Sequence, residues 1–176
     1  MSGLDGLEKS DIRDLLGKGW LTHDAMWFYH TCRQFGIEKA NEINKAAIQA
    51  MAPIEMERAK RLLGIDGKGL ATFDSLKDFM FRTLELILPT SVFEKSRFIS
   101  PARGLIHWRW ENRQCFAYKG MKQIGMIDGY SCGVMFRIGC WLDALGITYA
   151  MRPEIEGCLM RDKGACEGDI QIFALP

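Results

Sequence analysis

The chain has 176 residues, of which 48% are hydrophobic and 26% charged, and its formal net charge is +1. These are ordinary globular values, so a disordered chain is excluded, and no broad basic field is present to hold a nucleic-acid backbone. The length suits a single domain, 1–176, in which a mainly helical half, 1–89, precedes an α+β half, 90–176.

The opening MSGLDGLEKSD has no basic region followed by an apolar run, so no secretory signal is expected. Ser10 is suited to cap a short helix through Leu16, with Gly17 and Gly19 ending it. Thr22 then precedes HDAMWFYHTCRQF, a helix that Gly36 stops. Ala25, Phe28, Cys32 and Phe35 recur on it at core-facing spacing. The stretch from Ile37 to Leu63 is helical but holds Pro53, which predicts a kink or two consecutive helices. A loop with Gly64, Gly67 and Gly69 follows, and Asp74 is placed to cap SLKDFMFRTLELIL, which ends before Pro89.

Beyond Pro89 the pattern changes. SVFEKSRFIS has strand character, PARG is a turn, and LIHWRWEN alternates, with Ile106, Trp108 and Trp110 on one face and His107, Arg109 and Glu111 on the other. CFAYKGMKQIG reads as a short helix, and YSCGVMFRIGCWLDALG as a buried one ended by Gly146. ITYAMR is a strand, and PEIEGCLMRDKGACEGDIQIF is expected to form a final hairpin turning at Lys163-Gly164. The expected order is strand–strand–helix–helix–strand–strand–strand, an α+β layer with an antiparallel sheet. The longest nearly apolar run carries Arg137 and Asp143 and is too short to span a bilayer, so a soluble, cytoplasmic protein with no membrane contact is expected.

In that compartment six cysteines favour free thiols, metal ligands or reactive groups over a disulfide framework. Cys115 opens a helix directly after a strand, and Cys132 lies in the first turn of the buried helix. A thiol at either place is easier to deprotonate, because the helix dipole favours the anion. Cys158 and Cys166 flank the expected hairpin turn, where strands about 4.8 Å apart bring facing thiols within reach of one ion. Zinc takes soft thiolates in a tetrahedron at about 2.3 Å. The plainer alternative is that all four fill space in the core, as Cys32 and Cys140 do on their apolar helix faces. No CxxC knuckle is present.

The stretches NRQCFAYKGMKQIG, GYSCGVMF and GCLMRDKGACEGDIQIF resemble the L-2-amino-thiazoline-4-carboxylate hydrolase family, as does the N-terminal LTHDAMWFYHTCRQFGIEKANEIN. The resemblance implies hydrolysis of a cyclic amidine or amide carbon–nitrogen bond. Its three cysteine positions fall on Cys115, Cys132 and Cys166. A more distant likeness is to the four-vinyl-reductase domain, which holds zinc with three cysteines and a glutamate. The order Cys132, Cys158, Cys166 is similar to that pattern. Ile155 stands where the acid would fall, so Cys115 becomes the candidate fourth ligand.

Outside the cysteines, His23, Trp27 and His30 share one helix face, with the histidines as acid or base at a pocket mouth, as metal ligands, or as surface and cap residues. Arg109 lies on the polar face of LIHWRWEN, as a carboxylate ligand or a solvated side chain. Arg137, in an otherwise apolar helix, needs a partner, which is either a nearby acid or a bound carboxylate. No GxGxxG, P-loop, GxSxG or HExxH motif is present.

The sequence thus predicts an α+β protein with a small-molecule pocket and a metal site of Cys115, Cys132, Cys158 and Cys166. Zinc is the first choice of metal and an iron–sulfur cluster the second. Cys115, Cys132 and His23 are the catalytic candidates if the protein is an enzyme, and Arg137, Arg109 and Trp27 the ligand-binding ones. The rival is a non-catalytic binding or sensing module with a structural metal. The helical half either covers the pocket or packs as a homodimer interface.

Overall fold

The first helix, α1, runs unbroken from Lys9 to Phe35 in the computed structural model, which describes residues 5–66 and 69–176. It starts two residues earlier than expected. Glu8 is the N-cap, and its side chain and that of Asp11 satisfy each other's backbone N–H groups. Ser10 caps nothing there, and Gly17 and Gly19 do not end the helix. Each interior glycine costs a helix about 1 kcal/mol, and tertiary contacts around this turn offset it. Arg13 donates to the Thr90 hydroxyl, the Thr90 N–H donates to Asp14 at 2.7 Å, and Gly17 lies directly against Pro89. Phe28 and Cys32 are buried as expected, but Phe35 at the helix end is exposed.

After Gly36, in the left-handed region at φ 84°, α2 spans Ile37–Leu63 as one helix with Pro53 inside it. Ala40, Ala52 and Ala59 are among its buried residues, and α2 packs against α1. Gly67 of the following loop lies outside the described residues. Helix α3, Phe73–Ile87, is capped by Thr72 in a reciprocal bond with Ser75. Asp74, the expected cap, instead pairs with Lys77 at 2.9 Å. The segment after Pro89 begins not as strand but as a helical turn, α4, Thr90–Phe93, held by the contacts from Arg13 and Asp14.

Strands β1, Ser96–Ala102, and β2, Leu105–Trp110, form the expected hairpin, with Ser96 opposite Trp110 and the turn at Arg103-Gly104. Helices α5, Phe116–Gln123, and α6, Gly133–Ala144, follow, and α6 packs on α2. Strand β3 is Thr148–Arg152.

The expected last hairpin is not formed. Its first arm is a loop leading into a single turn, α7, Leu159–Asp162, and only the second arm is a strand, β4, Cys166–Ala174. Contacts distant in sequence hold the loop away from the sheet. Ser131 donates to the Glu156 carbonyl at 2.7 Å, and Arg161 donates to the carbonyls of Ile127, at 2.7 Å, and Asp128.

The sheet is antiparallel in the order β1-β2-β4-β3, so β4 is an inner strand. Ile106, Trp108 and Trp110 are buried on one face with Ile170 and Ile172, and one hydrophobic core joins them to α1, α2, α3 and α6. The protein is therefore α+β, a helical layer followed by an antiparallel sheet. Among the described residues, no helix is long and apolar enough to cross a membrane.

Candidate metal centre and ligand pocket

All four candidate cysteines stand at the start of an element. Cys115, Cys132 and Cys158 are the N-cap residues of α5, α6 and α7, and Cys166 is the first residue of β4. None is in a disulfide; Cys132 is half-buried and the other three are buried. The fold brings them into one neighbourhood. Cys115 feels the charge of Cys132 and Cys166, Cys132 feels that of Cys158, and Cys166 feels those of Cys132 and Cys158. The geometry differs from the expected one, because Cys158 reaches this place from a helical turn, not from a strand facing Cys166.

N–H groups approach three of the four sulfurs. The Tyr118 and Ala117 N–H groups at the start of α5 point to Cys115, and those of Met135 and Val134 at the start of α6 point to Cys132. The Trp108 indole N–H is buried without a conventional hydrogen-bond partner and is turned to the Cys166 sulfur. As free thiols Cys115, Cys132 and Cys166 resist ionisation. Burial, and secondarily the neighbouring thiols, push Cys166 up to about 12 and also raise Cys115 and Cys132.

Four thiols are the donor type a soft metal ion takes. The sulfurs are neighbours without being drawn together. Among the described residues, no group of three or more His, Cys, Asp or Glu side chains is arranged to hold a metal. Ile155 is half-buried, and Glu154 and Glu156 on either side of it are exposed.

A cavity of about 450 Å³ adjoins this cluster. Phe116 and Ala117, just after Cys115, and Tyr130, Gly133 and Val134, on either side of Cys132, form part of its wall. Trp20, Phe28, Trp110 and Trp141 supply further aromatic surface, and Asp24 and Arg137 are its charged lining residues. Arg137 already has a carboxylate. Its Nε donates to Glu55 Oε2 at 2.9 Å and its Nη2 to Glu55 Oε1, while the Trp141 indole donates to Glu55 Oε2 at 2.8 Å. The guanidinium also lies 4.3 Å from the Trp20 ring centre and 5.7 Å from that of Trp141. Of the two readings of Arg137, the internal ion pair is the one found. Asp24 differs: burial raises its pKa, Arg137 partly offsets that, and no hydrogen bond to its carboxylate is found among the described residues.

The remaining candidates sit elsewhere. Trp27 is exposed and donates to His23 Nε2 at 3.1 Å on the outside of α1, and neither lines the cavity. His30 is exposed and packs edge-on against Tyr29. Arg109 is on the outer sheet face, 3.4 Å from Glu167, beside a His107–Asp169 pair at 2.9 Å. Sequence reasoning missed Trp20 and Glu55. Trp20, Asp24 and Phe28 are spaced i, i+4, i+8, a signal that a break at Gly19 conceals. Glu55 carries no local signal, since its partner is 82 positions away.

No curated protein and no solved structure matches the chain. A family profile matches residues 6–103, which run from the start of α1 through β1 and carry Trp20, Asp24 and Glu55. That span is more than half of the chain, and the protein belongs to the family of unknown function DUF6125.

Proposed function

We propose that this protein is a small-molecule-binding module whose pocket is fixed by a thiolate metal centre, with Cys115, Cys132, Cys158 and Cys166 as ligands and zinc as the ion. The observation that supports this is the convergence of four free thiols, three of them approached by N–H donors. A buried thiolate needs a compensating charge, and a divalent cation supplies it. Four thiolates complete a tetrahedral zinc shell, the arrangement of structural sites. Six cysteines outside any disulfide suit a reducing cytoplasmic compartment.

Binding is preferred over turnover. Hydrolysis of a cyclic amidine bond, which the resemblance implies, calls for either a low-pKa thiol or an open metal position. Burial acts against the first and a full shell against the second.

Metal analysis of anaerobically purified, untagged protein tests the centre. We expect close to one equivalent of zinc in a colourless protein, with metal lost when any one of the four cysteines is changed to serine. A brown, iron-containing protein would replace zinc by a cluster. Metal-free wild type, or metal retained in the cysteine variants, would refute the centre.

A further inference from the structure

We infer that the cavity beside the cysteine cluster selects an organic cation: an amine or amidinium carried on a flat, apolar body, with Asp24 as its counter-ion. The inference deepens the ligand-binding reading and rests on it. Among the described residues two charged side chains, Asp24 and Arg137, line the cavity, and they differ in how far they are already engaged. Arg137 is spent on Glu55, which takes two of its donors and is itself held by the Trp141 indole. Its charge is matched inside the wall, so the chamber offers an entering carboxylate no net positive charge. Asp24 feels Arg137 and His23 only through space, and no ion pair or hydrogen bond to its carboxylate is found among the described residues. It projects from the same face of α1 as Trp20 and Phe28, one turn from each, and all three line the cavity.

The aromatic surface points the same way. Ring faces attract cations, and Trp20 and Trp141 already carry one in the Arg137 guanidinium. Phe28, Trp110, Phe116 and Tyr130 add further rings around a volume of about 450 Å³, within the range of small-ligand sites. A carboxylate beside aromatic and apolar surface attracts a cation more strongly than one in bulk water, because the effective dielectric near a protein surface is lower.

Three near-isosteric probes separate the alternatives: phenethylamine, phenethyl alcohol and hydrocinnamate. Each is titrated against the full chain by calorimetry and by the fluorescence of the cavity tryptophans, and metal content is measured on the same sample. We expect the amine to bind at least tenfold more tightly than the alcohol, with the carboxylate weakest. Asp24→Asn should remove the preference for the amine, and Asp24→Lys should invert it in favour of the carboxylate. Circular dichroism is expected to stay unchanged, since Asp24 is solvent-accessible at the cavity wall and no hydrogen bond to its carboxylate is found among the described residues. Equal binding of amine and alcohol, preference for the carboxylate, an unchanged Asp24→Asn variant, or no saturable binding of any probe at millimolar concentration would overturn the inference. A metal-free protein that still prefers the amine would refute the metal centre alone. A zinc-loaded protein that prefers the carboxylate would refute the cation inference alone.

Discussion

Arg137 shows how a single residue ties the sequence to the site. Its side chain is 14% exposed and that of Glu55 12%, so each charge depends on the other for stabilisation. Glu55→Ala leaves a guanidinium in an apolar wall and is expected to cost about 3 kcal/mol in urea unfolding. Replacing both, as Glu55→Leu with Arg137→Met, should recover most of that loss, because a buried ion pair is roughly interchangeable with well-packed apolar groups. Recovery of none of it would mean that the pair contributes beyond mutual neutralisation. The need for a partner was legible from Arg137 alone, since a charge in an apolar helix has to be satisfied. The partner's identity was not, because no local pattern on α2 distinguishes Glu55 from its neighbours. The four cysteines were legible for a different reason. Each lies at a boundary between elements, and boundaries carry local signals.

Among the elements, α1 and β4 show where local signals mislead. Gly17 and Gly19 are two residues apart in one helix, yet they stand in different surroundings. A Cβ on Gly17 would lie 3.0 Å from Pro89, whereas a Cβ on Gly19 would meet nothing within 4 Å. Gly19→Ala is therefore expected to raise stability by about 0.5–1 kcal/mol, the ordinary gain for alanine in a helix. Gly17→Ala should gain less or lose, since the Pro89 ring must move; thermal melts of the two variants decide it. Gly168 in β4 is the extreme case. A Cβ there would be 2.4 Å from the Arg152 carbonyl oxygen and 2.5 Å from the Trp108 ring, so Gly168→Ala is expected to cost about 3 kcal/mol by the same melts. The sequence reading broke α1 at its glycines and paired the last cysteines across a hairpin because propensity and turn chemistry are local. The contacts that decide otherwise, Arg13 and Asp14 to Thr90 and Arg161 to the Ile127 and Asp128 carbonyls, join positions far apart in the chain. Periodic segments such as β2 and α3 were read correctly because their own pattern fixes which face is buried.

For the whole molecule, the decisive question is whether the cysteine centre and the helical half stand or fall together. One core runs through both halves, and α6, which Cys132 precedes as N-cap, packs on α2 and lines the cavity with α1. A metal joining Cys115, Cys132, Cys158 and Cys166 would tether α5, α6, α7 and β4 at a single point. Its loss should therefore lower the stability of the entire chain, not melt the second half alone. Ligands bound only by the native state stabilise it by mass action, and a few kcal/mol corresponds to roughly 10 °C in a domain of this size. Excess EDTA with a thiol reductant is accordingly expected to shift one cooperative melting transition downward by about that much, with zinc restoring it. Cys32→Ser and Cys140→Ser should keep the response to chelator, because those thiols are elsewhere in the core. Cys115→Ser should melt near the chelated temperature and no longer respond. Two separate transitions on chelation would show that the halves are only loosely coupled. An unchanged transition would show that the four thiols are core packing, and that the N–H groups at the starts of α5 and α6 and the Trp108 indole serve neutral sulfur.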